Sequence, residues 1–218
     1  YKSLKRKFCS MKCEKEFLNG GVGEISLDTN LAYVLGTLCG DGWISRKEKN
    51  PDDSYLGLES IDKEFVEKFQ KACEPIFGKR IPIRIRTEKL GWGHKPRYFI
   101  RVYGKNAITQ ILKYGTFSCH EWSVPKEIFT SNNEIKYAFL QGFYDSEGSI
   151  LSYNIGVSTV NKNGMLEINT LLKSIGFRSF LYEIDVKGKR NYTVNKLYTI
   201  SIQDKRSIKL FDSLIGFT

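Results

Sequence analysis

Two acidic residues stand in the same local setting, each at the end of an apolar pattern and each followed by glycine. Asp41 ends the stretch LAYVLGTLCGD, and Glu147 ends the stretch YAFLQGFYDSE. If the two stretches lie side by side, their carboxylates repel each other until a hard cation such as Mg²⁺ neutralises them. A divalent cation can activate water and stabilise a leaving oxyanion in phosphodiester hydrolysis without a histidine. The pair therefore predicts a metal-dependent site.

The two stretches align as copies of one motif. Glycine meets glycine, acid meets acid, and the two acids are 106 positions apart, close to half of the 218-residue chain. Internal similarity at such a spacing indicates a duplicated architecture. Each copy carries small residues four apart, Gly36 with Gly40 and Gly142 with Ser146. We therefore expect the two motif helices to pack closely side by side.

The segments after each motif also correspond in order. Residues 55–60 and 154–159 have the pattern of strands, and residues 62–69 and 163–172 have apolar positions at helical spacing. A hairpin and a last helix follow in each half. The pattern predicts an α+β fold of two pseudo-symmetric halves, each ordered helix, two strands, helix, two strands, helix.

We divide the chain into four segments on this basis. They are a basic N-terminal extension (1–27), a first half (28–115), a linker (116–133) and a second half (134–218). Pro125 and a polar run mark the linker, and Asn132 or Asn133 is a candidate N-cap of the next helix. In the extension, Cys9 and Cys13 resemble part of a zinc knuckle. A structural zinc site needs four ligands, so zinc binding stays open.

The motifs, with the strands and helices that follow them, resemble those of the LAGLIDADG homing endonuclease family from about residue 28 onward. Two copies in one chain resemble the single-chain members, whose two αββαββα halves form saddle-shaped antiparallel sheets over DNA. The resemblance implies a metal-dependent, intron- or intein-associated endonuclease that cuts both strands of a long target site as a monomer. It also implies a metal site formed by Asp41, Glu147 and the main-chain carbonyls of Gly40 and Ser146. Mg²⁺ is the expected ion, with Mn²⁺ or Ca²⁺ as alternatives.

The second motif departs from the first at Asp145, whose counterpart is Cys39. This mismatch suggests a capping or packing role for Asp145 instead of a catalytic one. The family often adds a lysine near each metal, but residues 117–125 contain none. Lys95 and Lys196, which precede equivalent strands, are the fallback candidates for an auxiliary base, with a solvated lysine as the alternative.

The net charge favours a polyanionic partner. The chain has 34 Lys and Arg against 24 Asp and Glu, which gives a formal net charge of +10. Alternation in residues 80–86 and 97–103 predicts strands with arginines on one face. The inward residues would be Ile81, Ile83, Ile85, Tyr98, Ile100 and Val102. We predict that DNA is contacted by Arg80, Arg84, Arg86, Arg97, Arg101, Lys187, Lys189 and Arg190.

The second half has fewer charged strand positions. Its last strand would direct Tyr198, Ile200 and Ile202 inward and the uncharged Thr199, Ser201 and Gln203 outward. The charge gathers in the turn at 187–190, for which simple solvation is the alternative.

Other classes of protein fit less well. No stretch approaches the roughly 20 apolar residues of a membrane span, and no apolar signal segment follows the basic start. The odd, scattered set of five cysteines suits a reducing compartment. We expect an intracellular protein, in cytoplasm or organelle. An RNA maturase acting on intron RNA and a non-cleaving DNA-binding protein remain the alternatives, although acids at both motif ends favour cleavage. An unrelated basic protein leaves the duplication unexplained.

Overall fold

The computed structural model describes residues 24–46, 53–87, 95–118, 120–151, 153–187 and 196–218. The first half consists of α1 (Thr29–Leu38), β1 (Trp43–Ser45), β2 (Tyr55–Ser60), α2 (Lys63–Phe77), β3 (Arg84–Arg86), β4 (Arg97–Tyr103) and α3 (Lys105–Ile111). A short helix, α4 (Lys126–Thr130), follows. The second half consists of α5 (Asn133–Glu147), β5 (Gly148–Leu151), β6 (Asn154–Thr159), α6 (Lys162–Ser174), β7 (Phe180–Asp185), β8 (Lys196–Ile202) and α7 (Lys205–Leu214).

Each half contains one four-stranded antiparallel sheet. The strand order is β1-β2-β4-β3 in the first half and β5-β6-β8-β7 in the second, so the topology is the same in both. The predicted α+β fold of two αββαββα halves is confirmed.

Side-chain caps define where most of the helices begin. The Asp28 carboxylate accepts a hydrogen bond from the Leu31 amide at 2.8 Å, and Asn132 accepts one from the Ile135 amide at 3.1 Å. Asn132, and not Asn133, is therefore the cap of α5. At the other end of α2, Gly78 adopts φ 59°, the left-handed conformation that favours glycine after a helix. These local signals set the positions of the motif helices before any tertiary packing is considered.

A single core joins the two halves through α1 and α5. Leu31, Leu35, Phe139 and Phe143 are fully buried on these helices. The inner sheet faces complete the core with Leu56, Leu58, Ile100 and Val102 in the first half and Ile155, Val157, Ile200 and Ile202 in the second. Among the described residues, no helix has both the length and the apolar character needed to cross a membrane.

The segment between the halves packs against the second half. The Asn161 amide group donates to the Trp122 carbonyl at 2.6 Å, and the Val124 amide donates to Glu167 at 2.7 Å. Residues 116–133 thus act as a docked connection, although we keep the segment boundaries themselves as a proposal.

One expectation for a strand face is wrong. Ile81 is buried, but Ile83 is only half-buried and Ile85 is 59% exposed. The reason is that β3 has only three residues and lies at the sheet edge, where Ile85 pairs with Tyr98 near the start of β4. In β8, Ser201 faces outward as expected but is buried, because the side chains of Asn154 and Gln203 both donate to its hydroxyl.

Candidate metal centre and nucleic-acid interface

Helices α1 and α5 approach each other so closely that only glycine fits at two positions. A Cβ atom at Gly36 would lie 1.9 Å from the Phe139 carbonyl oxygen, and one at Gly142 would lie 2.1 Å from the Tyr33 carbonyl oxygen. These contacts are symmetric, since Phe139 is the counterpart of Tyr33 in the aligned motifs. The predicted close packing of the motif helices is confirmed.

The same packing brings the carboxyl ends of the two helices together. A Cβ atom at Gly40 would lie 2.4 Å from the Ser146 Cβ and 3.0 Å from the Glu147 Cγ. Asp41 follows Gly40 in a turn beyond α1, whereas Glu147 is the last residue of α5. The two acids therefore lie at one junction, on slightly different backbone conformations.

Both acids resist ionisation. Burial raises the pKa of Glu147 to about 7, and the nearby charge of Asp41 raises it further in the same direction. Burial also raises the pKa of Asp41, because the surrounding protein displaces part of its water shell even though the residue remains accessible. Among the described residues, no lysine or arginine forms an ion pair with either acid. The junction thus lacks a protein cation to balance the two carboxylates.

The helix ends add further negative potential. The last carbonyl groups of a helix lack intrahelical partners and carry the negative end of the helix dipole. Gly40 and Ser146 lie in the terminal turns of α1 and α5, so their carbonyls are available as oxygen ligands. In the described part of the chain, no group of three or more His, Cys, Asp or Glu side chains surrounds a metal position. The donor set fits Mg²⁺, which often takes one or two carboxylates and fills its shell with water and phosphate oxygens.

Asp145 takes part in a separate, buried network. Its carboxylate accepts hydrogen bonds from the Tyr33 hydroxyl at 2.8 Å and from the Thr218 amide at 2.9 Å. The Lys68 ammonium lies 3.7 Å away and also 4.9 Å from the centre of the Tyr33 ring. The Asp145 side chain is 2% exposed. This network ties α5 to α1 and α2, which supports the packing role expected for Asp145.

The two fallback lysines have no electrostatic contact with the motif acids. Lys196 forms an ion pair with Glu183. In the sheet ladder, Gly148 is level with Ile200, so Lys196 lies four residues, or about 13 Å, further along β8. Lys95 precedes β4 and is exposed. The structure does not bring either lysine to the junction, and their auxiliary role stays a prediction.

The outer face of the first sheet carries arginines interleaved with aromatic rings. Arg86 and Arg97 share the Glu59 carboxylate, each at 3.5 Å. The Arg101 guanidinium lies 5.1 Å from the centre of the Tyr55 ring and 5.8 Å from that of Phe99. The guanidinium groups are thus positioned by a carboxylate and by aromatic rings on the same face of the sheet.

Other predicted DNA contacts fall in different settings. Arg84 is exposed in β3, and Arg80 is exposed before that strand. Lys187 is exposed after β7, where its amide donates to Asp185 at 2.9 Å. Lys189 and Arg190 lie outside the described residues, as do Cys9 and Cys13.

Sequence reasoning missed the groups that organise the first sheet face. Glu59 is opposite Phe99 in the ladder, and Tyr55 is opposite Tyr103. Alternation in β2 would have placed Tyr55 and Glu59 outward, but the pairing register that sets them beside arginines depends on tertiary structure.

A family model described as "LAGLIDADG-like domain" matches residues 134–216. Curated relatives match over more of the chain. An uncharacterised protein of Methanocaldococcus jannaschii is 27% identical over 161 residues, covering 70% of this chain. The glutamine–fructose-6-phosphate aminotransferase of the same organism is 27% identical over 196 residues, covering 86%. The ribonucleoside-diphosphate reductase NrdEB subunit alpha of Bacillus subtilis is 23% identical over 219 residues, covering 90%. The chain spans 57%, 16% and 20% of these relatives.

Solved structures share the fold. I-DmoI in complex with DNA and Mn has a TM-score of 0.59 and 18% identity, with 88% of this chain and 98% of that chain covered. The homing endonuclease I-WcaI bound to its DNA recognition sequence has a TM-score of 0.62 and 15% identity, with 98% and 90% covered. The N-terminal LAGLIDADG domain of DUF199/WhiA has a TM-score of 0.57 and 16% identity, with 99% and 96% covered. Together with the duplicated topology, these matches show that the chain has the LAGLIDADG fold, and the family model identifies a LAGLIDADG-like domain at residues 134–216.

Proposed function

We propose that this chain is a site-specific endonuclease that hydrolyses phosphodiester bonds in double-stranded DNA. Asp41 and Glu147 would hold a divalent cation, with the carbonyls of Gly40 and Ser146 as further ligands. The observation that carries the proposal is the junction itself. Two partly buried acids converge at the ends of close-packed helices, and no described cation neutralises them.

The junction requires both acids to be ionised before it can hold a cation. Burial raises the pKa of Asp41, and the charge of Asp41 adds to the effect of burial in raising the pKa of Glu147, so Glu147 must lose its proton beside that charge. A bound divalent cation would polarise a phosphoryl oxygen and lower the pKa of a water. The arginines of the first sheet face would hold the DNA backbone or base edges. The twofold relation of the halves would give each strand its own acid, which permits a double-strand cut by a monomer.

The relatives favour a mobile element. Two of them have unrelated names, an aminotransferase and a reductase subunit, yet a block of about this chain's length matches within each. Matches to 16% and 20% of such proteins are expected if the shared block is an insertion that moves between unrelated hosts. We therefore propose an intron- or intein-associated homing endonuclease.

The test is cleavage of a DNA library in Mg²⁺. We expect sequence-specific double-strand cuts that disappear in EDTA and fall on the order of a thousand-fold in Asp41→Asn and in Glu147→Gln, since a metal contributes several kcal/mol to such a transition state. Melting temperature and binding to the same DNA serve as controls for folding. Equal cleavage by the parent and both variants would refute the assignment.

One further function has specific support. The structural match to the LAGLIDADG domain of DUF199/WhiA shows that proteins with other names share this fold. A DNA-binding protein that does not cut is therefore the second candidate. Specific binding without any cleavage in Mg²⁺ or Mn²⁺ would favour it. The compared complexes contain DNA, so we do not extend the proposal to intron RNA.

A further inference from the structure

The outer face of the first sheet is cationic and prearranged. It carries four arginines against a single acid, Glu59. Arg86 and Arg97 are tied to Glu59, whereas Arg84 and Arg101 are exposed and have no acidic partner among the described residues. The rings beside Arg101 hold its guanidinium without neutralising it. Arg84 and Arg101 are thus the donors that remain available to a ligand.

The corresponding face of the second sheet has a different chemistry. Its outermost strand, β7, turns Phe180, Tyr182 and Ile184 outward, and these are 39%, 44% and 40% exposed. Phe180 and Tyr182 are stacked, with ring centres 6.4 Å apart.

Hydroxyl groups lie beside these apolar residues, on the same face of the neighbouring strands β6 and β8. Ser158 and Thr199 share a hydrogen bond of 2.8 Å, and Thr199 is opposite Tyr182 in the ladder. The strand residues on this face that the structure describes include no charged side chain. Lys196 and Glu183 belong to the opposite face, since they alternate with Tyr182 and Thr199.

We infer that the two sheets read their DNA half-sites by different chemistry, the first through guanine edges and the second through thymine methyl groups. This inference rests on the proposed function, because it takes duplex DNA as the occupant of both faces. The pseudo-twofold relation places the same ligand over both sheets, so the face with arginines and the face with apolar side chains meet the same type of groove.

The base edges match these two sets of side chains. Guanine presents two acceptors, O6 and N7, that the forked guanidinium of arginine can bind together. Thymine presents a C5 methyl group, which favours apolar contact, and an O4 acceptor suited to a hydroxyl donor. The one cation described beside this face is Arg178, just before β7, whose guanidinium lies 5.7 Å from the centre of the Phe180 ring. The strand positions themselves carry no charge and gain little from phosphates, so their contribution must come from burying apolar surface. The half-site under the second sheet should therefore be rich in thymine.

The experiment replaces single atoms in the DNA and leaves the protein unchanged. A preferred duplex is first selected by binding from a randomised pool, and equilibrium binding is then measured in EDTA so that the DNA stays intact. Uracil in place of thymine removes only the methyl group, and 7-deazaguanine in place of guanine removes only the N7 acceptor. We expect uracil to weaken binding about four-fold per contacted methyl in one half-site. We expect 7-deazaguanine to weaken it about five-fold or more per contacted guanine in the other.

Protein variants assign each half-site to a sheet. Arg101→Ala should reduce the sensitivity to 7-deazaguanine, with Arg84 left as the second donor, and should leave the sensitivity to uracil unchanged. Tyr182→Ser should do the reverse. Each variant is the control for the other, because a general loss of folding would remove both sensitivities together.

The outcomes separate the inference from the function on which it rests. Opposite sensitivities in the two half-sites support the inference. Selection of a duplex whose halves respond equally to both analogues overturns it while leaving specific DNA binding in place. Failure to enrich any duplex overturns the inference and the proposed function together.

Discussion

The two halves of the chain are alike at the junction of α1 and α5 and differ on the outer faces of their sheets. At the junction, Gly36 and Gly142 have equivalent contacts, and an acid stands at both helix ends. On the sheets, four arginines in one half correspond to apolar and hydroxyl side chains in the other. At the junction the same contact is made twice, by Gly36 with Phe139 and by Gly142 with Tyr33, so both copies must satisfy one steric requirement. A residue far from the axis contacts only its own half and its own ligand, and it can change alone.

The two motif copies also differ at an aligned position that holds Cys39 in the first and Asp145 in the second. Cys39 is buried in the core, where its sulfur lies 4.0 Å from the Ser123 carbonyl, while its counterpart Asp145 holds Tyr33 and Lys68. Neither position takes part in the glycine contacts between the two helix backbones. The difference indicates that symmetry is enforced only where the two backbones meet.

The largest effect should come from breaking the symmetric helix contact. Gly36→Ala and Gly142→Ala each force a Cβ into a backbone oxygen, so we expect each to lower the free energy of unfolding by at least about 3 kcal/mol. Gly156→Ala is the matched control, because its nearest neighbour would be 3.7 Å away. Urea unfolding at pH 7 measures all three. Similar stabilities for Gly142→Ala and Gly156→Ala would show that the helices are not in backbone contact.

A smaller effect should separate the two diverged positions. Asp145→Ala removes the acceptor of the Tyr33 hydroxyl and the partner of Lys68, and we expect a loss of about 2 kcal/mol. Cys39→Ala, at the sister position, removes only a sulfur atom and should cost about 1 kcal/mol or less. Thermal unfolding of both variants makes the comparison. An equal loss in both would mean that the Asp145 network adds nothing beyond packing.

Stabilisation by a bound cation should depend equally on the acids at the two helix ends. At pH 8, Mg²⁺ at ten times its dissociation constant should stabilise the parent by about 1.4 kcal/mol, since only the folded chain assembles the junction. Asp41→Asn and Glu147→Gln should both lose this stabilisation. A titration followed by melting temperature tests the prediction. A full response in either variant would assign the cation to another site.

The stability should also depend on pH, and this dependence should be carried mainly by one acid. Burial raises the pKa of Glu147 to about 7 in the folded chain, whereas the pKa of an ordinary glutamate is 4.5. In EDTA, this stabilising contribution is complete below pH 4.5 and is lost as the pH rises through about 7. Glu147→Gln should flatten that slope in a series of unfolding measurements from pH 4.5 to 8. Asp41→Asn should flatten it in part, because removal of its charge lowers the pKa of Glu147. An unchanged slope in Glu147→Gln would contradict the shift.

The sequence predicted structure best where a residue type has one specific structural role, as glycine has in a close helix contact. The small residues four apart at Gly36 and Gly142 predicted the helix contact, and the alternation in residues 97–103 matched β4. It failed at Ile85, because an alternating pattern does not reveal where the sheet outruns the helices that cover it. The auxiliary role of Lys95 and Lys196 stays a prediction, and strand register places Lys196 four residues along β8 from the level of Gly148.

The sequence by itself determined the duplication, the helix ends and the acids that close them, because these depend on spacing and on local capping chemistry. Only the tertiary structure decided which groups share an environment. The raised pKa of Glu147, the sharing of Glu59 by two arginines and the alignment of uncharged strand positions on the second sheet face all arise between residues far apart in the chain. Charge and burial act through distance in space, and that distance is set by the packing of the two halves.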